Sequence, residues 1–199
     1  MPELLLGCGY SRAKRMAYPR GEKLEFKDLV TLDINEDCKP DLHCDLDAHF
    51  HPYDNFLCTP LTPRGLLACQ NRTAPSQYLK PEYFDEIHAY EVLEHLGSQG
   101  DAASFFDCFY RLFCLLRPNG FLFGTCPGRH SPWLWGDPSH RRAILQESLI
   151  FLSKERVAKC RAQPGNPISD FSHYWQGDFK IIASEDNHHT HAFCLQAIK

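Results

Sequence analysis

Apolar residues in this chain gather in short runs that stop at a glycine or an acid. Glu3-Leu4-Leu5-Leu6 ends at Gly7, and Leu29-Val30-Thr31-Leu32 ends at Asp33. A weaker run, Leu42-His43-Cys44, ends at Asp45. A fourth, Phe84 to Tyr90, carries Phe84, Ile87 and Ala89, and a fifth spans Gly120 to Cys126. The first, second and fifth are continuous, as expected of strands covered on both faces of a parallel sheet. Between the last two, Phe105, Cys108, Phe109, Leu112, Phe113, Leu115 and Leu116 recur at three- and four-residue spacing. That spacing puts them on one broad helical stripe. Asp101 is suited to start this helix, and Arg117-Pro118-Asn119-Gly120 to end it. Strand, helix and strand in this order predict a right-handed crossover.

Segment 11–18 allows only a short helix before Pro19 and Gly21. A longer helical stretch is expected around 142–161. Strand-like runs Phe179–Ala183 and His191–Ile198 flank the polar residues Glu185-Asp186-Asn187-His188-His189, which predicts an antiparallel hairpin. Residues 47–83 hold Pro52, Pro60, Pro63, Pro75 and Pro81 without periodicity. They read as an irregular insertion over one end of the sheet. The pattern as a whole predicts an α/β fold in a single domain, 1–199.

Composition narrows the function. The chain has 199 residues, is 43% hydrophobic and 23% charged, and carries a net charge of −4. That is globular composition, and the mild negative charge argues against a surface built mainly to grip phosphate backbones. No apolar run approaches the roughly 18–20 residues of a membrane helix. The N-terminus shows no basic leader, so a cytoplasmic protein without membrane contact is expected. The 10 cysteines contain no C-x-x-C pair, and several lie in apolar stretches where a thiol acts as a small hydrophobe.

The candidate chemistry begins at Leu4-Leu5-Leu6-Gly7-Cys8-Gly9-Tyr10-Ser11, a buried strand opening into a glycine turn. Gly7 and Gly9 allow a sharp turn and close approach of a ligand. A plain turn is the alternative. Asp33 ends the next strand, where an acid in nucleoside-binding sheets accepts hydrogen bonds from ribose hydroxyls. A dinucleotide site would want a third glycine and a helix N-terminus at the pyrophosphate. Arg12 stands at that third position. A nucleoside ligand without phosphates therefore fits better than NAD.

The segments LLLGCGYS at 4–11, VTLDIN at 30–35, HCDLD at 43–47, FDEIHAYEVLEHL at 84–96 and LLRPNGFLFGTCP at 115–127, with the closing hairpin, come in a telling order. In this the chain resembles the Rossmann-like, class I S-adenosylmethionine-dependent methyltransferases, particularly the type 11 branch. The resemblance implies a seven-stranded, mostly parallel sheet with an antiparallel last strand and helices on both faces. It implies S-adenosyl-L-methionine as cofactor. Gly7, Cys8 and Gly9 would pass under its methionine part, Asp33 would hold the ribose and Ile34 would pack on the adenine. Asp45 and Leu46 would meet the adenine edge. Tyr90 and Glu91 would border the methionine and the reactive methyl, with Glu94 and His95 completing the family's LEH signature.

Methyl transfer is an in-line displacement, so the protein must chiefly align nucleophile and methyl. Aromatic faces suit a sulfonium, and Tyr10 and Tyr90 are candidates. The acceptor side is expected in loop 127–142, with Trp133, Trp135, Asp137 and Arg141 as substrate-binding candidates. The structural alternative has Asp137 capping a turn with Arg141 and the tryptophans plugging the core. His95, His130 and His140 are the candidate bases. His188, His189 and His191 form an H-H-x-H cluster that reads as a solvated turn, and no metal is assigned. Asn71-Arg72-Thr73 fits a glycosylation sequon by chance. A small-molecule acceptor is expected first. A nucleic-acid base follows, with Arg129, Arg141 and Arg142 on phosphates and a tryptophan stacked on the base. A cofactor-binding partner subunit without activity is the third reading.

Overall fold

A computed structural model describes residues 1–47, 81–165 and 168–199. Most of the expected insertion at 47–83, and Asn71-Arg72-Thr73 with it, lie outside the described residues.

Seven strands form one sheet: β1 (Glu3–Leu6), β2 (Leu29–Asp33), β3 (Leu42–His43), β4 (Phe84–Tyr90), β5 (Leu116–Pro127), β6 (Phe179–Asp186) and β7 (Thr190–Ala197). Their order is β3-β2-β1-β4-β5-β7-β6. The first five pair in parallel, and β7 runs antiparallel between β5 and β6. The expected sheet and its closing hairpin are both present.

Alternation along the strands divides the core in two. Leu4 and Leu6 of β1 join Val30, Leu32, Ile87 and Ala89 in the main cluster. Helix α1 (Ala102–Leu115) covers that face with Phe106, Phe109, Leu112 and Leu115, helped by Ile144, Leu149, Leu152 and Trp175. Leu5 points the other way, into a small cluster with Cys8, Cys38 and Tyr90. Met16 and Phe26 pack against it from an irregular segment.

Asp101 caps α1 as expected, its Oδ1 accepting the Ser104 N–H at 3.0 Å. The Arg-Pro-Asn-Gly turn is present but lies inside β5. Leu116 already pairs with Phe84, and pairing resumes at Phe121 with Glu86.

Two local expectations are corrected. No helix forms in 11–18. The Arg15 and Met16 N–H groups instead donate to the Tyr90 hydroxyl, both at 3.1 Å. A short helix, α2 (Trp133–Gly136), precedes the stretch 142–161, which is not one helix but two, α3 (Gln146–Ile150) and α4 (Lys154–Arg161). The break falls at Leu152, whose carbonyl accepts from Phe179 N–H at 2.9 Å and Trp175 Nε1–H at 3.1 Å. Those tertiary bonds take an acceptor that a continuous helix would have used.

Candidate functional site

The chain leaves β1 for β2 and β3 on one side, then returns to β4 on the other. The carboxyl ends of β1 and β4 thus flank a topological switch point, where open α/β sheets bind ligands. Gly7 and Gly9 follow β1 there, at φ +55° and +50°. A Cβ on Gly7 would lie 2.7 Å from Val92 Cγ2, so this glycine lets the loop pack on the turn after β4. A Cβ on Gly9 would meet nothing within 4 Å, which makes Gly9 the side a ligand can approach.

Asp33, only 8% exposed, ties β2 to this loop. Its Oδ2 accepts the Gly9 N–H at 2.7 Å and its Oδ1 the Asn35 N–H at 2.8 Å. A carboxylate has about four acceptor positions, so both oxygens keep capacity for hydroxyl donors. Arg12 clamps the loop from outside, donating to Gly9 O at 2.7 Å and Cys38 O at 2.8 Å. Cys8 packs with Cys38, their sulfurs 3.9 Å apart, and burial pushes its thiol up to about 12. Tyr10 and Ile34 are among the exposed large hydrophobics. Asp45 Oδ1 accepts the Asp47 N–H at 2.9 Å, and Leu46 packs against the main core.

Past β4 the backbone turns through Glu91, a non-glycine residue at φ +56°. A 3₁₀ turn, Leu93–His95, follows. Glu94 is fully buried, and neither of its carboxylate oxygens accepts a hydrogen bond. Burial, with the Glu91 charge nearby, raises its pKa to about 8. The Glu94 carbonyl accepts from the N–H groups of Arg141 at 2.8 Å and Arg142 at 3.1 Å. That docking brings His140 Nε2 to 4.0 Å from Glu94 Oε1. The His95 and His140 rings meet edge to face, centroids 4.7 Å apart. Each uses Nδ1 on a backbone carbonyl: His95 on Ser139 O at 3.2 Å, His140 on Trp133 O at 2.7 Å. A carbonyl can only accept, so in the neutral rings Nδ1 carries the proton and Nε2 the lone pair.

No family model matches the sequence, and no curated protein matches it. Solved structures do. An S-adenosylmethionine-dependent methyltransferase from Archaeoglobus fulgidus is 15% identical, with 98% of this chain and 85% of that one covered at a TM-score of 0.52. The chain has a class I methyltransferase fold. An S-adenosylmethionine-dependent methyltransferase from Mesorhizobium loti is 12% identical over 98% of this chain and 90% of its own, TM-score 0.49. The N-methyltransferase NodS from Bradyrhizobium japonicum is 14% identical over 100% and 86%, TM-score 0.45.

On this methyltransferase fold the candidate residues divide. His95 and His140 come together, whereas His130 sits with His188 at the hairpin tip, ring centroids 5.3 Å apart. Tyr90 does not offer a free face to a sulfonium. It is 7% exposed, Arg15 lies over its ring at 5.2 Å, and its hydroxyl is committed to segment 11–18 and to His88. Trp133 and Trp135 are 65% and 60% exposed on α2, which Leu134 anchors. They plug no core. Asp137 caps its turn with Ser139, accepting its N–H at 2.8 Å and its Oγ–H at 2.5 Å, and Arg141 pairs instead with Asp47. The H-H-x-H cluster does not converge: His191 is buried, Nδ1 on Ile144 O and Nε2 on Ser184 Oγ.

Sequence reasoning undervalued Glu94, which carried a signal: an acid inside the apolar Val92-Leu93 and Leu96 context of the EVLEHL motif. It read Arg142 only as a contact for phosphates, in the nucleic-acid alternative. This 5%-exposed guanidinium donates to Ser98 O and Ser104 Oγ and lines a cavity of about 220 Å³ with Ser98, Asp101, Phe105 and Phe171. No local pattern announces that contact.

Proposed function

We propose that this protein is a cytoplasmic, single-domain enzyme that methylates a small molecule with S-adenosylmethionine, the acceptor lying against Trp133, Trp135 and the Glu94–His95–His140 cluster. The observation that carries the reading is the bond from Gly9 N–H to the Asp33 carboxylate. It joins a ribose-binding acid to an open-sided glycine loop at the switch point of a methyltransferase fold. Once bound, S-adenosylmethionine supplies a methyl group on a sulfonium, whose displacement by a nucleophile releases a neutral thioether.

The chain's own residues then have limited work. Asp33 takes the ribose hydroxyls through its remaining lone pairs, in charge-assisted bonds. Ile34, 61% exposed beside it, offers an apolar face to the adenine, with Asp45 and Leu46 at the ring edge. Gly7, Cys8 and Gly9 carry the backbone beneath the methionine part, and Tyr10 can fold over it. The strained turn at Glu91 aims the chain toward the transferred group. The Nε2 lone pairs of His95 and His140 are what an acceptor bearing an acidic proton needs.

A small-molecule acceptor is favoured over nucleic acid because each arginine of loop 127–142 already has a protein partner. Arg129 pairs with Glu147, Arg141 with Asp47, and Arg142 is buried on Ser98 and Ser104. The exposure of Trp133 and Trp135 speaks against an inactive subunit with a plugged acceptor pocket.

Calorimetry with S-adenosylhomocysteine and with NAD⁺ tests the reading. Binding of the former alone is expected, and Asp33→Ala should weaken it by roughly tenfold or more, the loss of one or two charge-assisted bonds. Binding of NAD⁺ alone would overturn it.

A further inference from the structure

We propose that Glu94, His95 and His140 form a binding site for a divalent first-row transition cation on the acceptor side of the cleft. The inference rests on the methyltransferase reading only for the cation's use. The site itself stands on geometry. One ligand atom from each of the three residues lies within 4.8 Å of the others. In a tetrahedral site with bonds of about 2.1 Å, ligand atoms sit roughly 3.4 Å apart. His140 Nε2 and Glu94 Oε1, at 4.0 Å, need close by little more than half an ångström (roughly, by the same geometry).

Two independent observations point to a ligand here. The first is Glu94, whose oxygens are both inaccessible and accept no hydrogen bond. A buried carboxylate that leaves its bonding capacity unused needs a reason to persist. The second is the way the imidazoles are held. Both fix Nδ1–H on a backbone carbonyl, Ser139 O and Trp133 O, and so hold back Nε2. Metal-ligating histidines are oriented by this outer contact. Two imidazoles with one carboxylate suit Zn²⁺, Co²⁺ or Fe²⁺ and leave coordination positions open.

Among the described residues, the other two groupings of metal-type side chains lack these features. In Glu3–Glu86–His88 both carboxylates are paired with Lys14, and in Cys8–Asp33–Cys38 the aspartate is held by two N–H groups. A cation on Glu94, His95 and His140 would take an oxygen or nitrogen of the acceptor in an open position and lower its pKa. His95 and His140 are then ligands rather than bases, and the acceptor's chemistry is that of a chelatable oxygen or nitrogen acid.

The test is a Co²⁺ titration of the full chain after chelator treatment and dialysis, read by visible absorption and calorimetry. One Co²⁺ per chain with nitrogen and oxygen ligation is expected. His140→Ala and His95→Ala should each weaken it by roughly tenfold or more, as should the isosteric Glu94→Gln. The double variant His188→Ala/His189→Ala, at the hairpin tip, should bind as the parent does. Absence of binding, or binding that survives His140→Ala and is lost in the hairpin variant, would overturn the site. S-Adenosylhomocysteine titrated into the same metal-free protein separates the two readings. If it binds while Co²⁺ does not, the cation site fails and the methyltransferase stands. If Co²⁺ binds in a His140-dependent way while it does not, the reverse holds.

Discussion

Two groups of buried ionisable residues flank β4, and they are built on opposite terms. On the small face of the sheet, Lys14 Nζ reaches Glu3 at 3.0 Å and Glu86 at 2.5 Å. His88 bonds Glu86 through Nε2 at 3.0 Å and the Tyr90 hydroxyl through Nδ1 at 2.6 Å. That hydroxyl accepts two N–H groups, so its one proton goes to His88 Nδ1, and His88 Nε2–H donates to Glu86. Every member has its complement. Just beyond the strand, Glu94 has none. Burial is common to both groups and so does not mark function; unused bonding capacity distinguishes them. The saturated network fastens segment 11–28 to the sheet where a helix would ordinarily pack. The unsaturated one keeps its capacity for a ligand.

Removing the cation of the saturated network should have the largest effect. Lys14→Met leaves Glu3 and Glu86 facing each other across a dry interface, with side chains 3% and 17% exposed. Breaking a buried pair in this way costs about 3–5 kcal/mol. For a chain of this size that is a fall in Tm of roughly 10 °C, measurable by calorimetry. A loss below about 1 kcal/mol would place these pairs with ordinary surface bridges and erase the contrast.

Next is Tyr90→Phe, which orphans the N–H groups of Arg15 and Met16 and leaves His88 Nδ1 without a donor. Buried groups stripped of a partner cost about 1–3 kcal/mol. Because the ring remains, affinity for S-adenosylhomocysteine should hardly change. A loss of affinity without a loss of stability would return Tyr90 to the cofactor site.

Tyr90 also shows where the sequence is legible. The strands β1, β2 and β5 are readable because each is an unbroken apolar run, and α1 because its stripe has a regular period and a visible cap. Asp33 is readable because a strand-ending acid is local information. What segment 11–18 does is not local: it depends on a hydroxyl 74 and 75 residues away. His140 is likewise placed by the Glu94 carbonyl receiving two distant N–H groups, a bond no spacing rule contains. That is why three histidines look equivalent in the sequence although only two of them meet.

Two buried imidazoles, His88 of the saturated network and His191 of β7, should also make the fold respond to acid. Burial lowers the pKa of His88 despite Glu86 and Glu3, with Lys14 adding to the fall. It lowers that of His191 despite Ile144 O, Asp186 and Glu147. A folded-state value below the ordinary 6.5 means that the unfolded chain binds more protons in that window. Stability is therefore full above pH 6.5 and declines as the pH falls below it, through the folded values. Tm measured downward from neutrality should drop, and His191→Asn should make the drop shallower. A flat profile there would show that neither imidazole resists protonation.

The smallest effect has the opposite sign. Glu94→Met exchanges a buried carboxyl without hydrogen bonds, beside Cys126, for an apolar chain of similar length. An orphaned polar group costs folding free energy that this exchange returns, so stability should rise by about 1 kcal/mol. Transfer activity and Co²⁺ affinity should fall in the same protein. Stabilisation with loss of function is what separates a group retained for its ligand from one retained for the fold. Lys14→Met sets the other end of that scale, losing stability first. If Glu94→Met were destabilising by as much as Lys14→Met, Glu94 would belong with the network on the small face, and the distinction drawn between the two sides of β4 would be void.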